Sequence, residues 1–247
     1  SWLIDAADRA GPPPTGPHRV LFAPAAAAVV VHEAIGHFAE AAPDGRVDLS
    51  HRLGGRICSE ALDLDDDPEA LGGPAHYRFD DEGTPSAGAT PIVRAGRMVG
   101  LLHGCTSAAH ARAEPTANAR AATVWDAAMP RMSNLVVRPR EGRPFEELVE
   151  RLGDGLLVHS LAYGYGFGLR IEALIRLAEE VRGGRRTGRF FSGGLIAESR
   201  GLLLRTEGIG DRVELYPNAL CGKEGQLLFD VGTLSPALLV ADVTIAG

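Results

Sequence analysis

Between Ala25 and Val31 the chain holds only alanine and valine, and this run leads directly into His32-Glu33-Ala34-Ile35-Gly36-His37. Pro24 stands where a helix starts, a position at which its missing N–H loses nothing. A helix over Ala25–Phe38 is therefore expected, with side chains small enough to let it lie close against a sheet. It ends on two imidazoles and one carboxylate. Neutral histidine nitrogens are preferred zinc ligands, and a carboxylate beside such a metal can serve as a general base. The histidines are five positions apart, not the four that put two rings on one face of a regular helix. At 3.6 residues per turn the second ring is rotated about 140° from the first. Both reach one ion only if the helix widens locally, as a π-bulge or a turn ending near Gly36 would do. The competing reading is structural, with two histidines at a helix end hydrogen-bonded to backbone.

The rest of the composition narrows the setting of this motif. A chain of 247 residues buries a real core as one large domain or two small ones, and its 31 glycines and 16 prolines suit many short strands joined by turns. The formal charge of −7, with no Lys/Arg-rich run, excludes non-specific nucleic-acid binding. Cys58, Cys105 and Cys221 are too few and too scattered for a disulfide framework, so a reducing cytoplasm is expected. No stretch approaches about 18 uninterrupted apolar residues, so no transmembrane helix is expected. The N-terminus lacks a basic region followed by an apolar core, so no secretory signal is expected either.

Along the chain, Gly11-Pro12-Pro13-Pro14-Thr15-Gly16-Pro17 reads as a linker, which makes residues 1–18 an N-terminal segment and 19–247 the domain. Arg19–Phe22 reads as a strand. Residues 43–74 are acidic and loop-like, and the run Asp63–Asp67 reads as a solvated loop, the alternative being a second metal site. Pro91–Leu102, alternating around Ala95-Gly96-Arg97, reads as a β-hairpin. Ala108–Ala128 reads as partly irregular, Leu135–Arg138 as a strand and Pro144–Gly153 as an amphipathic helix. Residues 169–191 alternate like strands yet contain good helix formers; Gly183-Gly184 tips the reading to a hairpin. Leu195–Leu204 reads as a helix and Ala237–Ile245 as the final strand.

Four segments in register carry a resemblance. They are His32-Glu33-Ala34-Ile35-Gly36-His37, Asp80-Asp81-Glu82-Gly83-Thr84-Pro85, Met129-Pro130-Arg131-Met132-Ser133-Asn134 and Cys221-Gly222-Lys223-Glu224-Gly225-Gln226. Their order and separations resemble the TldD/PmbA family of metallopeptidases, specifically its metal-binding TldD branch, over roughly residues 19–246. The fold this implies is α+β, a mainly antiparallel, barrel-like core packed around the HExxxH helix.

The resemblance implies one zinc per chain, held by His32, His37 and Cys221, with Glu33 as the base. That set leaves a fourth position open, as a catalytic zinc requires. Read alone, Cys221 would be a packing residue. Asp80, Asp81 and Glu82 would shape the cleft or simply form a turn. Arg131 and Asn134 would contact substrate, and Lys223, Glu224 and Glu40 would support the ligands from behind. Family members are nearly twice this long, so the chain corresponds to their C-terminal half, and they pair a TldD-type subunit with a TldE/PmbA-like one. A hetero- or homodimer acting on a peptide is implied, with no nucleic acid and no membrane. Half-length members resemble specialised forms from natural-product pathways such as antibiotic biosynthesis, which implies a small peptide-like substrate. The alternatives are an N-deacylase of a small metabolite and a non-catalytic scaffold subunit.

Overall fold

The computed structural model describes residues 2–42, 53–218 and 220–247, and strands far outnumber helices among them. After helix α1 (Trp2–Asp8) and strand β1 (Gly16–Phe22), helix α2 (Pro24–Val31), a π turn (His32–Gly36) and helix α3 (His37–Ala39) follow without a break. Next come β2 (Leu62–Asp66), β3 (Thr90–Arg94), β4 (Arg97–Met98), α4 (Cys105–Ala111), β5 (Ala119–Arg120), β6 (Met129–Pro130), β7 (Asn134–Pro139) and α5 (Phe145–Leu152). Then β8 (Gly155–Phe167), β9 (Arg170–Arg182), β10 (Arg185–Phe191) and β11 (Leu195–Ser199) lead into a 3-10 turn (Arg200–Arg205). The chain closes with β12 (Thr206–Ile209), β13 (Glu214–Asn218), β14 (Cys221–Lys223), β15 (Gln226–Leu228), β16 (Val231–Ser235) and β17 (Leu238–Ala246).

Strands β1, β8, β9, β11 and β17 pair in that order, and β17 pairs back onto β1, closing a five-stranded barrel. The β1–β8 junction is parallel and the others are antiparallel. A second sheet runs β13-β16-β7-β2-β3-β4, with β16 and β7 parallel. Helix α2 lies between the two, packed on β8 of the barrel and on β13 and β16 of the sheet. That explains its composition: a helix covered on both sides has no polar face, and Ala26 to Val31 are all buried.

The period-2 alternation of the strands divides the core. On β1, Val20 and Phe22 join the large cluster that includes α2, whereas Leu21 faces the other way. Leu21 meets Leu148, Val149 and Leu152, the apolar stripe of α5, together with Leu157 of β8 and Leu239 of β17. Each such side chain contributes roughly 1.5–3 kcal/mol on burial.

Several expectations need correcting. The protein is mostly β with few helices, and the expected mainly antiparallel, barrel-like core takes the form of a closed five-stranded barrel. The first strand begins at Gly16, because Gly16 and Pro17 already pair with Ile245 and Thr244. Leu195–Leu204 is not a helix. Its first half pairs with both β9 and β17, completing the barrel, and ladder hydrogen bonds on two sides outweigh helix propensity. The acidic run is not a solvated loop either, since Leu62–Asp66 is an interior strand of the second sheet. Asp65 is paired with Arg94 and Arg138, and Asp66 accepts from the Ser133 hydroxyl and the Asn118 amide, so both carboxylates are buried with partners. Of the acidic stretch, residues 43–52 lie outside the described residues. In residues 169–191 alternation prevailed, giving β9 and β10 joined at Gly183-Gly184.

Candidate metal centre

The helical segment leaves α geometry at the point where the two histidines need it to. The N–H of His37 bonds to the carbonyl of His32, five residues back, which places one π turn between the rings. Gly36 makes this possible against the neighbouring loop, because a Cβ there would stand 2.1 Å from Met132 Sδ and 2.7 Å from a Leu135 methyl. The His32 and His37 rings then meet edge to face, with centroids 4.8 Å apart.

Cys221 arrives from the far end of the chain. It opens the β14–β15 hairpin, whose turn residues Glu224 and Gly225 both have positive φ, the signature of a tight hairpin turn. Its thiol lies 3.6 Å from Nε2 of His37. One ligand atom each from His32, His37 and Cys221 falls within 4.8 Å of the others. All three residues are at least largely buried; the His37 side chain keeps 15% exposure.

Glu40 stands behind this set. Fully buried, its carboxylate accepts from His37 Nδ1 at 2.9 Å, from the Met132 N–H at 3.0 Å and from Lys223 Nζ at 3.0 Å, with Arg131 Nε 3.7 Å away. Burial pushes the Glu40 carboxyl up, but Lys223, His37 and Arg131 together hold it well below the usual carboxylate range. Burial pulls His37 down, yet Glu40 and the Cys221 thiol raise it to about 10. For Cys221 burial raises the thiol, and His32 and His37 bring it down to about 6.

This donor set fits a divalent ion. One thiolate and two imidazoles are soft and borderline ligands of the kind zinc takes, and His37 has its second nitrogen fixed by a carboxylate, the usual arrangement behind a metal-bound histidine. Glu33 lies one residue along from His32, and its side chain runs against the bare backbone of β8. A Cβ on Gly164 would fall 2.7 Å from Glu33 Cγ, and one on Gly166 3.1 Å from Oε2.

The remaining expected residues divide. Lys223 comes to the centre through its ion pair with Glu40 and a 3.1 Å bond to the Pro130 carbonyl. Arg131 also comes to it, but as a fully buried clamp rather than a substrate contact: Nη2 donates to the Cys221 carbonyl at 2.6 Å and to its sulfur at 3.2 Å. Asn134 is placed elsewhere, its amide occupied by Ala75 N–H, Ala75 O and Asp67 O. Asp80 builds a turn by accepting from the N–H groups of Glu82, Thr84 and Ala119. Glu82 accepts from the Cys105 N–H at 2.6 Å, and Glu224 is exposed at its hairpin turn. One neighbour of Glu33 had no sequence signal at all: Arg200, which opens the 3-10 turn and bonds to the Glu33 carbonyl.

Comparison with known proteins gives a consistent family. Residues 15–247 match the model of the PmbA/TldA metallopeptidase C-terminal domain. A metalloprotease of Methanocaldococcus jannaschii is 31% identical over 227 residues, 88% of this chain and 48% of the relative. A metalloprotease of Synechocystis is 30% identical over 242 residues, 92% of this chain and 50% of the relative. Among solved structures, TldE from Thermococcus kodakarensis superposes with a TM-score of 0.77 at 19% identity, covering 100% of this chain and 54% of that one. The chain thus spans about half the length of the relatives it matches.

Proposed function

The chain belongs to the PmbA/TldD metallopeptidase family, and from that premise we propose that it is a zinc-dependent amide hydrolase acting on a small peptide or peptide-like intermediate. The observation that carries the reading is the convergence of His32, His37 and Cys221, residues up to 189 positions apart in sequence, on one locus within 4.8 Å. These three would hold the metal. A zinc ion there would supply Lewis acidity, drawing charge from an amide oxygen and making water easier to deprotonate.

The protein's own residues supply the rest. Glu33 accepts the proton of the attacking water and returns it to the departing nitrogen, so that hydroxyl ends on the acyl carbon and hydrogen on the amine. Glu40 keeps the proton of His37 on Nδ1 and so leaves Nε2 free to ligate. Arg131 and Lys223 tie the Cys221 hairpin to the same carboxylate. A second subunit of this fold, a PmbA-like chain or another copy, belongs to the proposal, as do a peptide-bond or N-acyl substrate and a cytoplasmic setting.

The test is zinc content by mass spectrometry for the wild type, Cys221→Ala and Glu33→Gln, paired with cleavage of a quenched-fluorescent peptide mixture. About one zinc per wild-type chain, lost in Cys221→Ala, with cleavage abolished in zinc-loaded Glu33→Gln, is the expected result. A wild type that takes up no zinc sinks the enzyme reading and leaves a scaffold subunit.

A further inference from the structure

The π register leaves one backbone carbonyl to be accounted for. In an α-helix the N–H of His37 would go to the carbonyl of Glu33, four residues back. Here it goes to His32 instead. The Glu33 carbonyl accepts from Nη1 of Arg200 at 2.8 Å. Wide turns are uncommon, and a buried carbonyl deprived of its helical donor needs another partner.

The guanidinium is held by a second bond and its backbone by a third. Nε donates to the Gly168 carbonyl at 2.6 Å, and the backbone N–H of Arg200 donates to the Leu169 carbonyl at 2.9 Å. Cζ stands 5.3 Å from the ring centre of Phe38, the residue after His37. Its third nitrogen, Nη2, lies 2.9 Å from the point a Cβ on Gly166 would occupy, and Glu33 Oε2 lies 3.1 Å from that same point. The cation therefore touches the π turn through its backbone, flanks the ring that follows it and sits beside its carboxylate across a bare piece of β8.

We infer that Arg200 is a positioning residue: by taking the carbonyl of Glu33 it holds the wide turn open, which keeps His32 and His37 on one locus and aims the Glu33 carboxylate. Its functional meaning rests on the metal-site reading above, but its structural content does not. Lysine is a poor substitute, because a single ammonium on a flexible stem cannot bond the carbonyls of Glu33 and Gly168 in one plane.

Hydrogen exchange read by mass spectrometry on the metal-free protein tests it, comparing the wild type, Arg200→Lys and Arg200→Met over residues 32–39, with β17 as internal control. The expected result is exchange about tenfold faster over residues 32–39 in Arg200→Met, unchanged in β17, and intermediate in Arg200→Lys. Cobalt affinity, measured separately, falls in the same order. Unchanged exchange over residues 32–39 in Arg200→Met overturns the assignment, and so does acceleration shared equally by β17, which is plain loss of stability. A wild type that binds no cobalt counts against the metal-site reading, while the exchange data still decide the role of Arg200.

Discussion

His37 and Glu40 form a pair that faces two ways: Nδ1 of the imidazole meets Oε2 of the carboxylate at 2.9 Å, while Nε2 stands 3.6 Å from the Cys221 thiol. The same carboxylate receives Lys223, from the strand that Cys221 opens, and so joins the two parts of the chain that supply the candidate ligands. Replacing Glu40 by Gln keeps the shape and removes the charge. The His37 tautomer is then no longer held, and Lys223 and Arg131 lose their buried counter-charge. Zinc affinity is expected to fall about 10- to 100-fold, and the metal-free chain to lose about 3–5 kcal/mol of stability. Chelator competition and urea unfolding measure the two effects.

The pH dependence of metal uptake follows from the directions at the centre. Without metal, His37 holds a second proton, on Nε2, up to about pH 10, so uptake below that must displace it. Cys221, brought down to about 6, is already a thiolate above that pH. Affinity is therefore expected to rise about tenfold per pH unit between these two values, one proton being released, and more steeply below the lower one. A flat profile across neutral pH, measured against a chelator of known proton affinity, contradicts the pairing of His37 with Glu40.

Gly166 is bare for a reason that substitution exposes. A methyl group there would press on Arg200 Nη2 and Glu33 Oε2 together. Gly166→Ala is expected to lower peptide cleavage by about tenfold or more while costing about 1–3 kcal/mol of stability and leaving zinc content near one per chain. Cleavage equal to wild type means that the space over β8 is not needed by the base.

Asn134 makes the opposite prediction. Its amide ties Ala75 and Asp67 to the start of β7 and reaches no ligand. Asn134→Ala is expected to cost about 1–3 kcal/mol in chemical denaturation, since buried backbone groups lose their partners, with zinc stoichiometry unchanged. A selective loss of metal without loss of stability assigns it to the site after all.

The ligand motif was legible in the sequence because its chemistry is local. His32, Glu33 and His37 sit together whatever the fold, their odd spacing requires a widened turn if both rings are to meet, and alternation together with Gly183-Gly184 was enough to read β9 and β10. The run of small apolar residues before the motif likewise pointed to a helix lying close against a sheet. What local order could not supply is partnership across the chain. Asp65 and Asp66 looked like a solvated run because carboxylates on their own prefer water. Only Arg94 and Arg138 from neighbouring strands, and Ser133 and Asn118 from the loops beside them, make them affordable inside a sheet.

The same limit hid Arg200. Leu195–Leu204 has helix-forming composition, and only pairing with β9 and β17 turns its first half into barrel strand. The break after Ser199 then delivers a guanidinium to the Glu33 carbonyl, 167 residues away in sequence. Sequence by itself determined that two imidazoles and a carboxylate stand at one helix end, and that only a widened turn would bring both rings to one point, since both follow from residue type and spacing. Tertiary structure alone decided that Arg131 joins Glu40 and Lys223 behind them and that Arg200 reaches the Glu33 carbonyl, because a hydrogen bond between distant residues leaves no trace in the local pattern of either.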